Sequence, residues 1–226
     1  MNETRPFIVA IDGPAASGKG TLARRLAERF GLAHLDTGKL YRATAFLVLS
    51  GGGDPADPEA ATEAARQVDP ASLGDPRLSG EEVARASSVV AAIPEVRAAL
   101  LARQREFAAH PPSLAPEKKA RGAVLDGRDI GTAVCPDADL KLFVTASPEA
   151  RAERRLRELR QRGAAVIYRD VLQDMNERDA RDSKRRVAPL AAAPDAVILD
   201  TTRLDADQVL EQASDIVART LAAHGR

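Results

Sequence analysis

Apolar residues fall along this chain in two rhythms. Short, nearly unbroken runs at Phe7–Ile11, Leu32–Leu35, Ala123–Leu125, Leu140–Val144 and Ala196–Leu199 read as strands covered on both faces. A strand open to water on one side would instead alternate apolar with polar residues. Between these runs apolar residues recur every three or four positions, as on one face of a helix. Leu22, Leu26 and Phe30 show this spacing early in the chain, and Val209, Ala213, Ile216, Val217 and Leu221 show it at the end. Further helices are predicted over Lys39–Leu49, Glu59–Gln67, Glu81–Ala92, Glu95–Phe107, Ser147 to about Arg162, and Tyr168–Arg181. Gly31 and Pro94 stand where a helix end and a helix start favour them. Gly51–Pro58, Asp69–Gly80 and His110–Gly122, rich in Gly, Pro and Asp, read as connections.

Five strands alternating with helices predict an α/β protein built on a mostly parallel five-stranded sheet with helices on both faces. In such sheets ligands bind beyond the carboxyl ends of the strands. The polar residues that follow each strand therefore become the candidates: Gly13–Thr21, Asp36-Thr37, Asp126–Asp129 and Asp200-Thr201. The third strand is reached only after a detour over Gly51–Gly122, and this detour and the helices of Arg151–Arg186 read as insertions over one core.

Composition narrows the class. The 226 residues suffice for one large domain, and 33 basic residues balance 33 acidic ones. Bulk attraction to nucleic acid or to a membrane surface is thus not expected. The balance is not uniform: Gly51–Glu82 holds two basic and eight acidic residues, Arg151–Arg186 twelve and seven. No apolar run approaches a membrane span, and Met1–Pro6 is too short and polar for a secretory leader. A single cysteine, Cys135, forms no intrachain disulfide and suits a reducing compartment; beside Pro136 and without a histidine partner it reads as packing. His34, His110 and His224 lack metal-ligand spacing. A cytoplasmic enzyme is expected.

The densest chemistry lies at Gly13-Pro14-Ala15-Ala16-Ser17-Gly18-Lys19-Gly20-Thr21, between the first strand and the first helix. Strand, glycine-bounded loop, lysine and helix make the context of a phosphate-binding loop. Its backbone N–H groups and helix dipole attract anions, and Lys19 adds a full positive charge. Gly20 occupies the position where a hydroxyl commonly follows the lysine. Thr21, partly through water, becomes the candidate Mg²⁺ contact. The loop specifies a nucleoside triphosphate site without specifying the reaction.

Four segments taken together go further: Ile11–Thr21, Leu35-Asp-Thr-Gly-Lys-Leu-Tyr-Arg42, Asp126-Gly-Arg-Asp-Ile-Gly131 and Arg178-Asp-Ala-Arg-Asp-Ser-Lys-Arg185. In this order they closely resemble the bacterial cytidylate kinases, over nearly the whole chain. The resemblance implies a nucleoside monophosphate kinase with a core over approximately residues 1–36, 123–150 and 190–226, a monophosphate-binding insertion over 37–122 and a helical lid over 151–189. It implies ATP as donor, Mg²⁺ as its companion, CMP and dCMP as acceptors, and a monomer. It also implies roles. Lys19, Arg42, Arg128 and Arg178 serve transfer, with Arg42 and Arg128 clamping the acceptor phosphate and Arg178 arriving as the lid closes. Asp182 and Arg185 hold the sugar hydroxyls; Asp36, Thr37 and Tyr41 line the acceptor pocket; Ser88, Arg97 and Asp129 read cytosine. Arg154 and Arg155 reach the phosphates or base of ATP.

The residue types suit that chemistry. Phosphoryl transfer brings two anions into line, and guanidinium groups offset their repulsion while gripping phosphate through paired hydrogen bonds. A carboxylate can accept from the exocyclic amine that cytosine carries. Plainer readings stand beside these. Arg151, Arg157, Arg160 and Arg162 read as the solvated face of a helix; Asp129 could brace Arg128 or cap a helix, Asp36 could cap a strand end, and Ser88 could bond back to its own turn. Asp126 could hold Mg²⁺ or stiffen the Gly127 turn. The segment Val68–Leu78 is too short and too rich in Pro, Gly and Asp for the small β-rich piece that some members of the resembled family carry. A kinase for another monophosphate or small acceptor, a nucleotide switch and a nucleic-acid-binding ATPase are the competing readings. The chain has no [NT]-K-x-D motif for the switch, and aromatics are only 3% of residues, too few for an interleaved nucleic-acid surface.

Overall fold

A computed structural model describes residues 5–224. Residues 1–4 and 225–226, which belong to the outer edges of the expected core and to the Met1–Pro6 lead, lie outside the described residues. The five expected strands form as β1 (Phe7–Asp12), β2 (Ala33–Asp36), β3 (Gly122–Gly127), β4 (Leu140–Thr145) and β5 (Val197–Asp200). They pair in parallel in the order β2-β3-β1-β4-β5.

β1 lies at the centre and every residue of it is buried. Successive side chains of a strand point to opposite faces. Phe7, Val9 and Ile11 accordingly pack with Leu22 and Leu26 of α1 (Lys19–Phe30) and with Val209 and Val217 of α8 (Ala206–His224). Ile8 and Ala10 pack on the other face, with Leu125, Ile130 and Val134. β5 departs from the expectation of strands covered on both sides: Val197 and Ile198 are 39% and 53% exposed. The reason is position, because β5 is an edge strand with one neighbour.

Local sequence accounts for the helix boundaries. Gly31 closes α1 in the left-handed region, at φ 66°, with its N–H on Ala27 O. α2 (Thr37–Ser50) starts directly after β2, earlier than the expected Lys39. Asp57 accepts from Glu59 N at 2.9 Å to open α3 (Pro58–Gln67). α4 (Glu81–Val90) and α5 (Pro94–Ala109) are divided at the proline. Ser147 accepts from Ala150 N at 3.2 Å to open α6 (Pro148–Gln161), and α7 is Tyr168–Ser183. Asp69 and Asp75 cap two short 3-10 turns, Pro70–Gly74 and Pro76–Ser79. The segment Val68–Leu78 thus carries no strand, yet Val68 and Leu78 are buried rather than looped into solvent.

Two further apolar clusters lie outside the sheet. One gathers Leu40, Val48, Ala61, Val68, Val90, Val96 and Leu100 from α2 to α5. The other joins Ala152 and Leu159 of α6 to Val171 and Met175 of α7. Chain connectivity places β3 between β1 and β2 only after the α2–α5 excursion. β1 therefore has neighbours reached in opposite directions, and the crevice at its carboxyl end is where such sheets bind ligands.

Candidate active site

That crevice holds the Gly13–Thr21 loop. Gly13 has φ 153°, and a Cβ there would lie 2.0 Å from Val144 O. Only glycine lets the loop turn against the end of β4. Gly18, at φ 92°, precedes α1, and no side chain caps the helix. The first N–H groups of α1 are thereby left for an anion. Ala15, Ala16, Lys19 and Gly20 line a cavity of about 570 Å³ together with Asp36, Arg42, Asp126, Arg128, Arg155 and Arg178. Pro14 is buried at the base of the loop, and the Ser17 hydroxyl is buried without a partner.

Several of the cations at this cavity lie close enough to oppose one another's charge. Burial, then Arg128, pushes the Lys19 ammonium down to about 7 despite Asp126 and Asp36. Burial, then Arg128 again, pushes Arg178 down to about 9, and its Nε is buried with no hydrogen-bond partner. Burial and Arg155 lower Arg42, which donates to Leu78 O at 3.0 Å. Like charges held close out of water are costly until an anion enters between them.

A smaller hollow of about 50 Å³ adjoins these groups, lined by Thr37, Tyr41, Arg42, Ser88, Arg97, Arg128, Asp129, Arg178, Asp182 and Arg185. All the residues expected to handle the acceptor meet here except Asp36, which lines the larger cavity. Asp182, fully buried, takes Arg128 Nε at 2.9 Å and pairs with Arg185. Burial alone would raise its carboxyl, but Arg128, Arg185 and Arg178 outweigh burial and hold it low. Asp129 pairs with Arg97, whose guanidinium lies 5.5 Å over the Tyr41 ring and donates to Ala91 O. Ser88 does not bond back to its turn; its neighbour Ser87 does, to Ala84 O. Ser88 Oγ instead accepts from Arg181 Nε at 3.1 Å.

The two α6 arginines expected to reach ATP part company. Arg155 lines the large cavity, whereas Arg154 lines a second one with Ser17, Gly18, Thr21 and Thr201–Ala206, and donates to Thr201 Oγ1 at 2.9 Å. Thr21 is thus in the second cavity, and Gly20, Lys19 and Asp126 are in the first. Of the arginines expected to be solvated, Arg157, Arg160 and Arg162 are exposed, but Arg151 is not. It is 4% exposed, because three oxygens, from the loop, from Ala146 just past β4 and from α7, satisfy its guanidinium in the interior.

Sequence reasoning missed three groups. Asp12, at the end of β1, accepts from Ile130 N at 2.7 Å and Gly131 N at 2.8 Å. It secures the wide π-type turn of Ile130–Val134 that follows Asp129. Burial raises its carboxyl to about 6, the two N–H groups opposing. His34 Nε2 lies 2.8 Å from Asp126 Oδ1. Arg181 reaches Ser88. The strand-end position of Asp12 was a usable signal; His34 and Arg181 gave none, since their partners are 92 and 93 residues away. Cys135 is half-buried with its thiol pushed up to about 11 by burial, in keeping with packing.

A phosphate-binding loop at the crevice of a parallel sheet, facing arginines from two helical excursions, defines a P-loop phosphotransferase of the nucleotide-kinase type. The family model described as Cytidylate kinase matches residues 9–219, and the chain belongs to that family. It is 64% identical over 212 residues to the cytidylate kinase of Rhodospirillum rubrum, covering 94% of this chain and 97% of that one. It is 59% identical over 211 residues to that of Methylocella silvestris, covering 93% and 94%, and 58% identical over 213 residues to that of Granulibacter bethesdensis, covering 94% and 97%.

Proposed function

We propose that this protein transfers the γ-phosphate of ATP to CMP or dCMP, giving CDP or dCDP and ADP. The observation that carries the reading is Arg178, half-buried with Arg128 and Arg42 beside Lys19, its Nε without a hydrogen-bond partner and its guanidinium pushed down to about 9. Such a cluster has a physical purpose only if anions complete it. The Gly13–Thr21 loop and Lys19 hold the donor phosphates, with Arg155 over them; Arg154 and the second cavity take the nucleoside end of ATP. Arg42, Arg128 and Arg178 hold the acceptor phosphate, so that its oxygen faces the γ-phosphorus in line with the bridging oxygen that departs with ADP.

Base choice rests with the Arg97–Asp129 pair. Asp129 offers an acceptor to the amine of cytosine and Arg97 offers donors to its ring acceptors. Uracil would leave the carboxylate facing an oxygen, and an unmatched buried polar pair costs binding. Thr37, Tyr41 and Ser88 wall the base, while Asp182 and Arg185 take the sugar hydroxyls and Asp36 flanks the donor side. The α2–α5 excursion acts as the acceptor-binding insertion and α6–α7 as the lid.

Asp36 and Asp126 face one another across the β2–β3 register, and burial and Asp126 raise the Asp36 carboxyl. No group of three His, Cys, Asp or Glu suited to a metal occurs among the described residues. That donor set fits Mg²⁺, which binds through one or two carboxylates, waters and substrate phosphates. Asp126 and Asp36 would hold it, directly or through water, with Thr21, which lines the adjoining cavity, as a further contact through water. When bound it neutralises phosphate charge. Gly20 leaves this corner open, since a Cβ there would lie 3.6 Å from Asp126 Oδ2. A monomer in the reducing cytoplasm, where a lone Cys135 is at ease, completes the reading.

The test is an acceptor panel with ATP and Mg²⁺. CMP and dCMP should be phosphorylated far faster than UMP or AMP; equal rates on all four, or ATP hydrolysis indifferent to acceptor, would overturn the reading.

A further inference from the structure

Arg151 joins three parts of the molecule through one guanidinium. Nε donates to Ala146 O, just past β4, at 3.0 Å, and Nη1 donates to Ala15 O in the loop at 3.3 Å. Nη2 pairs with Asp179 of α7 at 2.7 Å. Its side chain is 5% exposed, so these bonds replace water rather than supplement it. A planar fork with fixed donor directions can meet two carbonyls and a carboxylate at once.

The loop peptide that it grips is the unusual one. Ala16 sits at φ 56°, in the left-handed region, although it carries a Cβ. That conformation is strained for a residue with a Cβ and persists only where surroundings hold it. In a trans peptide the C=O of one residue and the N–H of the next point opposite ways, so fixing Ala15 O fixes the heading of Ala16 N–H. The Ala16 side chain also packs against the α6–α7 apolar cluster. On α7, Asp179 directly follows Arg178.

We propose that Arg151 is a positioning residue that couples the donor loop to the helix bearing Arg178. By holding Ala15 O it keeps the loop in its anion-binding form, and by holding Asp179 it ties that form to the placement of α7. Donor binding and acceptor binding then strengthen one another, as sites that share a held element do. The inference rests on the donor role proposed for Gly13–Thr21.

Arg151→Lys tests it, because an ammonium retains the charge opposite Asp179 but lacks the fork. Titration calorimetry gives the affinity for ADP, and the affinity for CMP with and without a saturating non-hydrolysable ATP analogue. In the wild type the analogue should tighten CMP binding. In R151K, ADP binding should weaken about tenfold, the scale for a displaced holding group, and the analogue should no longer tighten CMP binding. An unchanged ADP affinity, or coupling that survives in R151K or is missing in the wild type, overturns the proposal. Should R151K fail to fold, Asp179→Asn leaves both carbonyl bonds in place and cuts the tie to α7. Coupling should then vanish with ADP affinity reduced less than about threefold, and persistent coupling overturns the proposal. Lys19→Ala separates this inference from the one beneath it. If K19A leaves ADP binding intact, the donor role of the loop fails; if K19A abolishes it and R151K does not weaken it, only the coupling fails.

Discussion

Asp182→Asn is the sharpest perturbation of the arginine cluster. Asp182 is fully buried and pairs with Arg128 and Arg185, and Arg178 acts on it as a third positive charge. Asparagine keeps the shape and one acceptor oxygen but removes the only negative charge among them. Breaking a buried ion pair costs about 3–5 kcal/mol, and the retained acceptor points to the lower end, about 3 kcal/mol. For a chain of this size that corresponds to a melting midpoint lower by roughly 6–12 °C. The pH dependence gives a second handle. The folded Asp182 carboxyl lies below its unfolded value of 3.8, so its contribution is present above that value and is lost as pH falls through the folded pKa. The wild-type advantage over D182N should therefore be level near neutrality and shrink below about pH 4. Paired thermal melts across pH check both. A midpoint within about 2 °C of wild type at neutral pH would refute the reasoning, since it would mean that the arginines are not held by this charge.

Asp12 should show the opposite sign. Its folded pKa of about 6 exceeds the unfolded 3.8, so its contribution is present below 3.8 and lost as pH rises through 6. Between those limits wild type should lose up to about 3 kcal/mol relative to Asp12→Asn, measurable by denaturant melts of both proteins; parallel pH profiles would contradict the buried, raised carboxyl. In turnover, Arg128→Ala should cripple phosphorylation of every acceptor, whereas Asp129→Ala should chiefly erode the preference for CMP over UMP. Base selectivity untouched in D129A, read as the ratio of kcat/KM values, would remove Asp129 from base reading.

Local order was legible in the chain itself. The apolar run of Phe7–Ile11, the glycines that bound the loop, the helical spacing after Lys19 and the helix start at Ser147 depend on neighbours a few residues away, so the linear pattern carries them. The acceptor residues were legible through resembled motifs: of the ten named at the smaller hollow, eight come from three stretches of motif, and Arg97 and Ser88 are single positions. What the linear pattern could not carry was burial and pairing. Arg151, Arg157, Arg160 and Arg162 look alike along α6 and its C-terminal end, but only Arg151 meets oxygens from Ala15, Ala146 and Asp179, and so it alone leaves water. β5 has the composition of a buried strand, but its place at the sheet edge exposes Val197 and Ile198. His34 and Asp126, or Arg181 and Ser88, become partners only when strands and helices distant in sequence are laid side by side. The sequence by itself determined which segments fold locally and which chemistry they bring; the tertiary structure decided which charges lose water and which partners then compensate them, because desolvation and ion pairing depend on three-dimensional neighbours that spacing along a chain does not encode.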